Sequence, residues 1–117
     1  MCYALPFDRK NSIEMDPALY CVRMAGHSYH FTQQEYLLFE QLLQSAMKEY
    51  GSGKPVRALS RAELLRGAWG SAAAYATRTV DVHVQRLRAK LGADVIDTVY
   101  RQGYRIDPTA LMRLAVA

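Results

Sequence analysis

The stretch TRTVDVHVQRLRAKLGADVIDTVYRQGYRI, residues 77–106, decides the fold. In its first half, apolar residues recur every three or four positions up to Gly92, which predicts an α-helix that ends there. Its second half contains two short strand-like runs, VIDTVY and YRI, joined around Arg101-Gln102-Gly103. That arrangement predicts a β-hairpin. An arginine-bearing helix is therefore followed directly by two short strands.

The predicted helix has two chemically different sides. At about 100° per residue, one narrow sector is wholly apolar and is expected to be buried. It holds Val80, Val84, Leu87 and Leu91. The opposite, outward sector holds Arg78, Val82, Gln85, Arg86 and Ala89, with Thr79, His83 and Lys90 on one flank and Asp81 and Arg88 on the other. Thr77 or Thr79 can cap the first turn of this helix.

These outward side chains suit the major groove of DNA. Arg86 could donate two hydrogen bonds to guanine, Gln85 could pair with adenine or a phosphate, and Val82 could contact a thymine methyl. Arg78 and Lys90 would lie toward the phosphates and set the register. The alternative is that this face is simply a solvated basic surface.

Two further helices are predicted upstream. In FTQQEYLLFEQLLQSAMKEYG, Thr32 and Glu35 have the spacing of a capping box, in which each side chain accepts a hydrogen bond from the other residue's backbone N–H. Ser60 and Glu63 repeat that spacing at the start of SRAELLRGAWG. Before these helices, residues 13–31 have broken, strand-like apolar runs that predict short antiparallel strands.

Composition indicates a single domain. The chain has 117 residues, half of them hydrophobic, which is enough for one core. Residues 13–106 form the predicted domain, residues 1–12 an N-terminal arm or edge strand, and residues 107–117 a final helical turn or packed tail. Fifteen Lys and Arg against 11 Asp and Glu give a net charge of +4, which points modestly to an acidic polymer as partner.

The element order describes a helix-turn-helix with a wing, and at this point the sequence resembles the OmpR/PhoB-type DNA-binding domain of bacterial response regulators. The resemblance spans residues 13–106. It is carried by FTQQEYLLFEQLL, SRAELLRGAWG, TRTVDVHVQRLRAKLG and TVYRQGYRI. It implies an α+β fold, a winged helix-turn-helix with N-terminal antiparallel strands, three helices and a C-terminal β-hairpin wing.

The resemblance also implies a DNA-binding surface, with residues 77–91 as recognition helix and residues 99–106 containing the wing. The predicted contact residues are Trp69, Arg78, Thr79, Val82, His83, Gln85, Arg86, Arg88, Lys90, Thr98, Arg101 and Tyr104. Three have plainer alternatives. Trp69 can equally belong to the core, Tyr104 is more readily packing than contact, and Arg88 can orient the helix by pairing with an acid such as Asp81.

The sequence departs from the family pattern in several places. Where the family wing reads T-V-R-G-x-G-Y, this chain has Tyr100 and Arg101 at the third and fourth positions, so minor-groove contact by the wing is open. The segment SAAAYA, residues 71–76, matches a loop that can touch RNA polymerase but has no acidic residue. The phosphorylatable receiver domain that normally precedes this module has no counterpart, which indicates a fragment or, more in keeping with the Met1-Cys2-Tyr3 start, a stand-alone effector. Control by phosphorylation is therefore not predicted.

The leading hypothesis is a sequence-specific regulator of transcription that binds double-stranded DNA. Two copies would bind repeated half-sites. The expected location is the cytoplasm, in association with the nucleoid. The alternative is a winged-helix interaction module that binds RNA polymerase or another regulator and touches DNA weakly or not at all. No membrane-spanning segment is predicted, because no apolar run is long enough. No cofactor is predicted. No metal site is predicted either, since Cys21, His27 and His30 lack a fourth ligand. Catalysis is the least favoured class, because the sequence shows no nucleophile–base pair and no phosphate-binding glycine loop.

Overall fold

The computed structural model describes residues 2–5, 8–70 and 77–116. Strands and helices follow one another as an N-terminal sheet, three helices, a hairpin and a last helix. In chain order they are β1 (Cys2–Leu5), β2 (Asp8–Asp16), β3 (Cys21–Met24), β4 (His27–His30), α1 (Gln33–Gly51), α2 (Arg61–Trp69), α3 (Arg78–Leu91), β5 (Ile96–Val99), β6 (Gly103–Ile106) and α4 (Pro108–Val116). The predicted α+β class is confirmed.

The N-terminal sheet is antiparallel, with strand order β1-β2-β3-β4. Met15 pairs with Val22, and both side chains are buried against the core. Glu14 pairs with Arg23 on the other face, where their side chains form an ion pair at 2.9 Å. This alternation is what a sheet with one solvated face requires, and it confirms the strands predicted between residues 13 and 31. β2 begins at Asp8, so the sheet also continues across residue 12.

The first two helices begin as predicted. At α1, the Thr32 backbone N–H donates to Glu35 Oε1 at 2.9 Å, and the Glu35 backbone N–H donates to Thr32 Oγ1 at 3.3 Å. At α2, Ser60 and Glu63 exchange the same two hydrogen bonds. Both capping boxes are confirmed.

The start of α3 is different, and the prediction that a threonine side chain caps it was wrong. Thr77 occupies the N-cap position with helical dihedrals, φ −60° and ψ −19°, and makes no side-chain cap hydrogen bond. An N-cap side chain reaches the free backbone N–H groups from an extended backbone, which Thr77 does not have. Thr79 lies inside the helix.

The hairpin of β5 and β6 is anchored to the segment that precedes α2. Leu59 and Tyr104 exchange backbone hydrogen bonds of 2.8 and 3.0 Å. This pairing brings the chain close to Gly103, where a Cβ atom would lie 1.9 Å from the Leu59 carbonyl oxygen. Gly103 also has a φ of 141°, so the wing needs glycine at this position.

The C-terminal tail forms a helix, α4, in addition to the three helices that the resemblance implies. Asp107 Oδ1 accepts hydrogen bonds from the backbone N–H groups of Thr109 (2.9 Å) and Ala110 (3.3 Å), so it caps α4. α4 packs against β2 and β3 and buries Ala110, Leu111 and Ala115. The apolar run in the tail sequence therefore adds to the core of the domain.

One side of α3 faces the core of the domain. Val80, Val84, Leu87 and Leu91 are buried, as the spacing predicts. They join a core to which every other helix contributes. None of the helices in the described ranges has the length and apolar run that a bilayer crossing would need.

Candidate nucleic-acid interface

The outward side of α3 is open to solvent. Arg78, Gln85, Arg86 and Ala89 are exposed, and Val82 has 44% of its surface accessible. Neither Arg78 nor Arg86 forms an ion pair with any acid in the described part of the chain. The helix therefore presents two uncommitted guanidiniums, an amide and an apolar side chain on one side, in the arrangement that the helical periodicity predicts.

Arg88 is used inside the molecule. Its Nη2 donates to the Ile96 carbonyl oxygen at 2.6 Å and to Thr98 Oγ1 at 2.9 Å, and its Nε also donates to Ile96, at 3.2 Å. The orienting role considered for Arg88 is therefore present, but its partners are a carbonyl and a hydroxyl of β5 instead of Asp81. Thr98 is exposed on that strand.

The sequence predicts Lys90 near the phosphates, whereas in the structure its amine binds groups of the protein. The Nζ donates to Glu35 Oε1 at 2.6 Å and to the His30 carbonyl oxygen at 3.1 Å, and it lies 5.6 Å from the centre of the Phe31 ring. Glu35 has only 2% of its surface exposed, and a buried carboxylate requires a cation or several donors. Lys90 therefore joins the end of α3 to the start of α1.

The environment of Glu35 keeps it ionised. Burial by itself would raise the pKa of Glu35, but the hydrogen bonds from the Lys90 amine and the Thr32 backbone N–H outweigh burial and hold that pKa below its ordinary value. The Lys90–Glu35 pair is thus a structural ion pair.

Trp69 and His83 form an edge-to-face ring pair with centroids 4.8 Å apart. Both side chains are half-buried, so Trp69 is neither a full core residue nor a free surface residue. His83 Nδ1 lies 2.8 Å from the Thr79 carbonyl oxygen, which can only accept, so Nδ1 carries the proton. Thr79 itself is half-buried at the edge of the outward face.

Tyr104 is buried, in keeping with the packing role that the sequence analysis favours for it over DNA contact. Only 4% of its surface is exposed, and its hydroxyl donates to Asp81 Oδ1. Arg61, on α2, donates from Nε to the same oxygen at 2.7 Å. Sequence reasoning missed Arg61 because it lies 20 residues before Asp81, a separation that only tertiary packing brings together.

This hydrogen bonding changes the acidity of both partners. Partial burial would raise the pKa of Asp81, but the hydrogen bonds from Tyr104 and Arg61 hold that pKa below its ordinary value. Burial, together with the hydrogen bond to Asp81, raises the pKa of the Tyr104 hydroxyl. Asp81 is therefore an anion bound by two donors.

The tip of the wing carries an exposed cation beside an exposed aromatic ring. The guanidinium carbon of Arg101 lies 5.1 Å from the centre of the Tyr100 ring, and Tyr100 is 79% exposed. Arg101 has a φ of 61°, in the left-handed region, at the position where the resembled family usually has glycine. The turn thus keeps the backbone conformation that favours glycine while placing a positive charge at the tip.

Two sequence expectations concern other parts of the molecule. Residues 71–76, the segment considered for RNA polymerase, lie outside the described residues. The described residues include no group of three or more His, Cys, Asp and Glu side chains arranged to hold a metal ion, and Cys21 is a buried free thiol.

A bundle of helices, one of them with an exposed basic side, and a hairpin wing together define a winged-helix DNA-binding domain. A family model described as "Transcriptional regulatory protein, C terminal" matches residues 26–106. The chain belongs to this family.

Curated relatives are response regulators and transcriptional regulators. The chain is 35% identical over 107 residues to the response regulator protein PmrA of Pseudomonas aeruginosa, with 92% of this chain and 44% of PmrA covered. It is 36% identical over 103 residues to the phosphate regulon transcriptional regulatory protein PhoB of Rhizobium meliloti, with 85% and 41% covered. The chain therefore spans less than half the length of these relatives.

A solved structure supports the same placement. The DNA-binding domain of the response regulator AdeR, solved in complex with an intercistronic region, superposes with a TM-score of 0.62 at 26% identity, with 81% of this chain and 92% of that chain covered.

Proposed function

We propose that this chain binds double-stranded DNA at specific sequences and thereby regulates transcription. α3 enters the major groove, and the wing formed by β5 and β6 lies on the backbone or in the minor groove. One observation carries the proposal: Arg78, Val82, Gln85 and Arg86 are exposed together on one side of α3. The major groove of B-DNA is wide enough to admit a helix that carries such a row.

The proposed roles follow from the chemistry and from the contacts of each side chain. Arg86 and Gln85 read base edges, and Val82 contacts a thymine methyl. Arg78, in the first turn of α3, and Arg101, at the wing tip, bind phosphates or the adjacent groove.

The remaining predicted contact residues lie around this row. Trp69 and Thr98 are proposed to approach the backbone with their indole N–H and hydroxyl. Thr79 and His83 lie at the edge of the row, half-buried. Arg88 and Lys90 act mainly by holding α3 in place, because their donors are already bound to groups of the protein.

The first experiment is selection of bound fragments from a random DNA pool, followed by measurement of affinity for the selected site and for unrelated DNA. Arg86→Ala is then expected to weaken binding to the selected site about 5- to 150-fold, as for the loss of one good base contact of about 1–3 kcal/mol. Binding to unrelated DNA should change much less.

Arg113→Ala is the matched control, because it removes the same charge from α4. The Arg113 side chain is 69% exposed and pairs with Asp94 at 3.1 Å. Equal weakening by both variants on every sequence would contradict base reading by Arg86 and leave only general electrostatic attraction.

The alternative function, an interaction module with little DNA binding, now rests on the wing. The apolar C-terminal tail offers such a module no free surface, because it is the helix α4, with Leu111 and Ala115 buried. Tyr100 at the wing tip remains a large exposed side chain with no assigned role. A salt titration separates the two functions, since true DNA binding weakens steeply with salt concentration as counterions are released.

The wider setting is proposed from the same function. The chain acts by binding and not by catalysis, on chromosomal DNA in the cytoplasm. One module makes few base contacts, so tight binding requires two copies on repeated half-sites. A footprint with two protected half-sites would support this stoichiometry, whereas a single half-site at saturation would oppose it. Contact with RNA polymerase through residues 71–76 stays a prediction.

A further inference from the structure

One polar junction connects the recognition helix α3 to α2 and to strand β6 of the wing. Asp81, in the first turn of α3, accepts hydrogen bonds from Arg61 of α2 and from the Tyr104 hydroxyl of β6. Arg61 Nη2 also lies 3.4 Å from the Tyr104 hydroxyl oxygen. All three side chains therefore meet at one point.

Arg88 extends this junction to the other strand of the wing. The guanidinium carbon of Arg61 lies 5.1 Å from the centre of the Tyr104 ring, and that of Arg88 lies 5.7 Å from the same point. Arg88 in turn donates to the Ile96 carbonyl oxygen of β5. We call Arg61, Asp81, Arg88 and Tyr104 the Asp81 junction; it ties together α2, α3, β5 and β6.

The charge of Asp81 is unexpected for a helix that approaches a polyanion. Its side chain is 38% exposed, and it lies three residues from Arg78 and four from Gln85 on the same helix. Simple attraction to phosphates would be stronger without this carboxylate. An acid in the first turn does stabilise a helix through the helix dipole, but that effect does not require Arg61 or Tyr104.

Resting on the proposed DNA-binding function, we propose that Asp81 is a positioning residue for sequence discrimination. By holding Tyr104 and Arg61, it fixes the orientation of the wing relative to α3, so that both reach one duplex in register. The junction thus converts two separate DNA-contacting elements into a single rigid surface.

Two variants test the proposal through different chemistry. Tyr104→Phe removes one hydroxyl without changing charge or ring packing, and Asp81→Asn removes the negative charge with little change of shape. The readout is the ratio of affinity for the selected site to affinity for unrelated DNA. Both variants should lower this ratio, by about 2- to 30-fold, the range of coupling between linked sites.

The sign of the Asp81→Asn effect is the sharper part of the test. Loss of an anion should strengthen binding to unrelated DNA, because net charge rises by one, while the ratio falls. If Asp81 only stabilised the helix, Asp81→Asn would lower the affinity for both DNAs by a similar factor and would leave their ratio unchanged. Thermal unfolding of each variant checks that the fold is intact.

The link to the wing is tested by combining variants. If the junction places the wing, Arg101→Ala should weaken site binding strongly in the unaltered protein and much less in the Tyr104→Phe background. Tyr29→Phe is the matched control, because it removes one hydroxyl from β4, in the N-terminal sheet, and should leave the Arg101→Ala effect unchanged.

Two results overturn the proposal while leaving DNA binding in place. One is a folded Tyr104→Phe protein with an unchanged affinity ratio. The other is an Asp81→Asn protein that binds both DNAs more tightly by the same factor. If the unaltered protein shows no preference for any sequence, the proposed function itself fails, and the inference fails with it.

Discussion

At the scale of single residues, the basic side chains of this domain differ in whether they bind other groups of the protein. Arg78 and Arg86 are uncommitted on the outward side of α3, whereas Arg61, Arg88 and Lys90 are bound to groups of the protein. Because all five are basic, the sequence alone does not separate them. The contacts indicate which charges are free to bind a phosphate or a base.

Lys90 gives the first prediction. Lys90→Met should lower the free energy of unfolding by about 1–3 kcal/mol, because the buried Glu35 carboxylate loses a charged donor. Urea denaturation measures this change. The effect on DNA affinity should be small compared with that of Arg86→Ala.

The double variant Lys90→Met with Glu35→Gln is the control for this prediction. Replacing both charges removes the unpaired anion, so the double variant should be more stable than Lys90→Met alone. A Lys90→Met protein with normal stability and a lost preference for its DNA site would show that the amine contacts DNA.

Gly103 gives the second prediction. Gly103→Ala should cost at least about 2 kcal/mol, because the new Cβ would lie 1.9 Å from the Leu59 carbonyl oxygen and the backbone cannot yield without breaking the Leu59–Tyr104 pairing. Gly26→Ala is the matched control. Gly26 also has a positive φ, 79°, but nothing lies within 4 Å of its added Cβ. It should cost only about 1 kcal/mol, from backbone strain.

Thermal or urea unfolding of both variants measures these costs. Equal losses of stability would show that backbone strain, and not the close approach to Leu59, determines the cost at Gly103.

At the scale of elements, helices that look alike in sequence begin in different ways. Ser60 has an extended backbone, φ −69° and ψ 158°, and its side chain caps α2, whereas Thr77 has helical dihedrals and does not cap α3. We therefore expect Ser60→Ala to lower stability by about 1 kcal/mol and Thr77→Ala to leave it nearly unchanged. Urea unfolding of both variants measures the difference. A comparable loss for Thr77→Ala would indicate that α3 is capped by this hydroxyl in solution.

The same comparison shows which features local sequence can predict. The buried stripe of α3 and the capping boxes of α1 and α2 depend on residues three or four positions apart, so their periodicity is visible in the sequence. For the tail, the sequence allows either a final helical turn or a packed segment. Its helix depends on the cap at Asp107 and on the apolar surface of β2 and β3, which the sequence does not place next to it.

At the scale of the whole molecule, the less predictable features are the contacts between distant segments. Tyr104 lies 23 residues from Asp81 and 43 from Arg61, and Lys90 lies 55 from Glu35. Such pairs depend on how the elements pack, and no periodicity in the sequence indicates them. The outward row of α3 was predictable because helical geometry alone determines it. The role of Lys90 and the part played by Arg61 were not, and for Tyr104 the sequence indicates packing but not the hydrogen bond to Asp81.

Carboxylates held by hydrogen bonds, both local and long-range, determine how the molecule responds to acid. The pKa values of Glu35, Glu63 and Asp81 are all lowered, with ordinary values of 4.5, 4.5 and 3.8. For each group, the unfolded chain takes up its proton at a higher pH than the folded chain does. Stability that depends on these anions is therefore present above their ordinary values and is lost as pH falls toward the lowered values.

The free energy of unfolding should consequently fall steeply once pH drops below about 4.5, with all three carboxylates contributing. Urea denaturation at a series of pH values measures this dependence. Glu35→Gln should be less stable near neutral pH, because Lys90 loses its charged partner, but its stability should decline less with acid. Parallel pH profiles for Glu35→Gln and the unaltered protein would mean that the Lys90–Glu35 pair does not shift the acidity of Glu35. The attachment of the end of α3 to α1 would then depend on apolar packing alone.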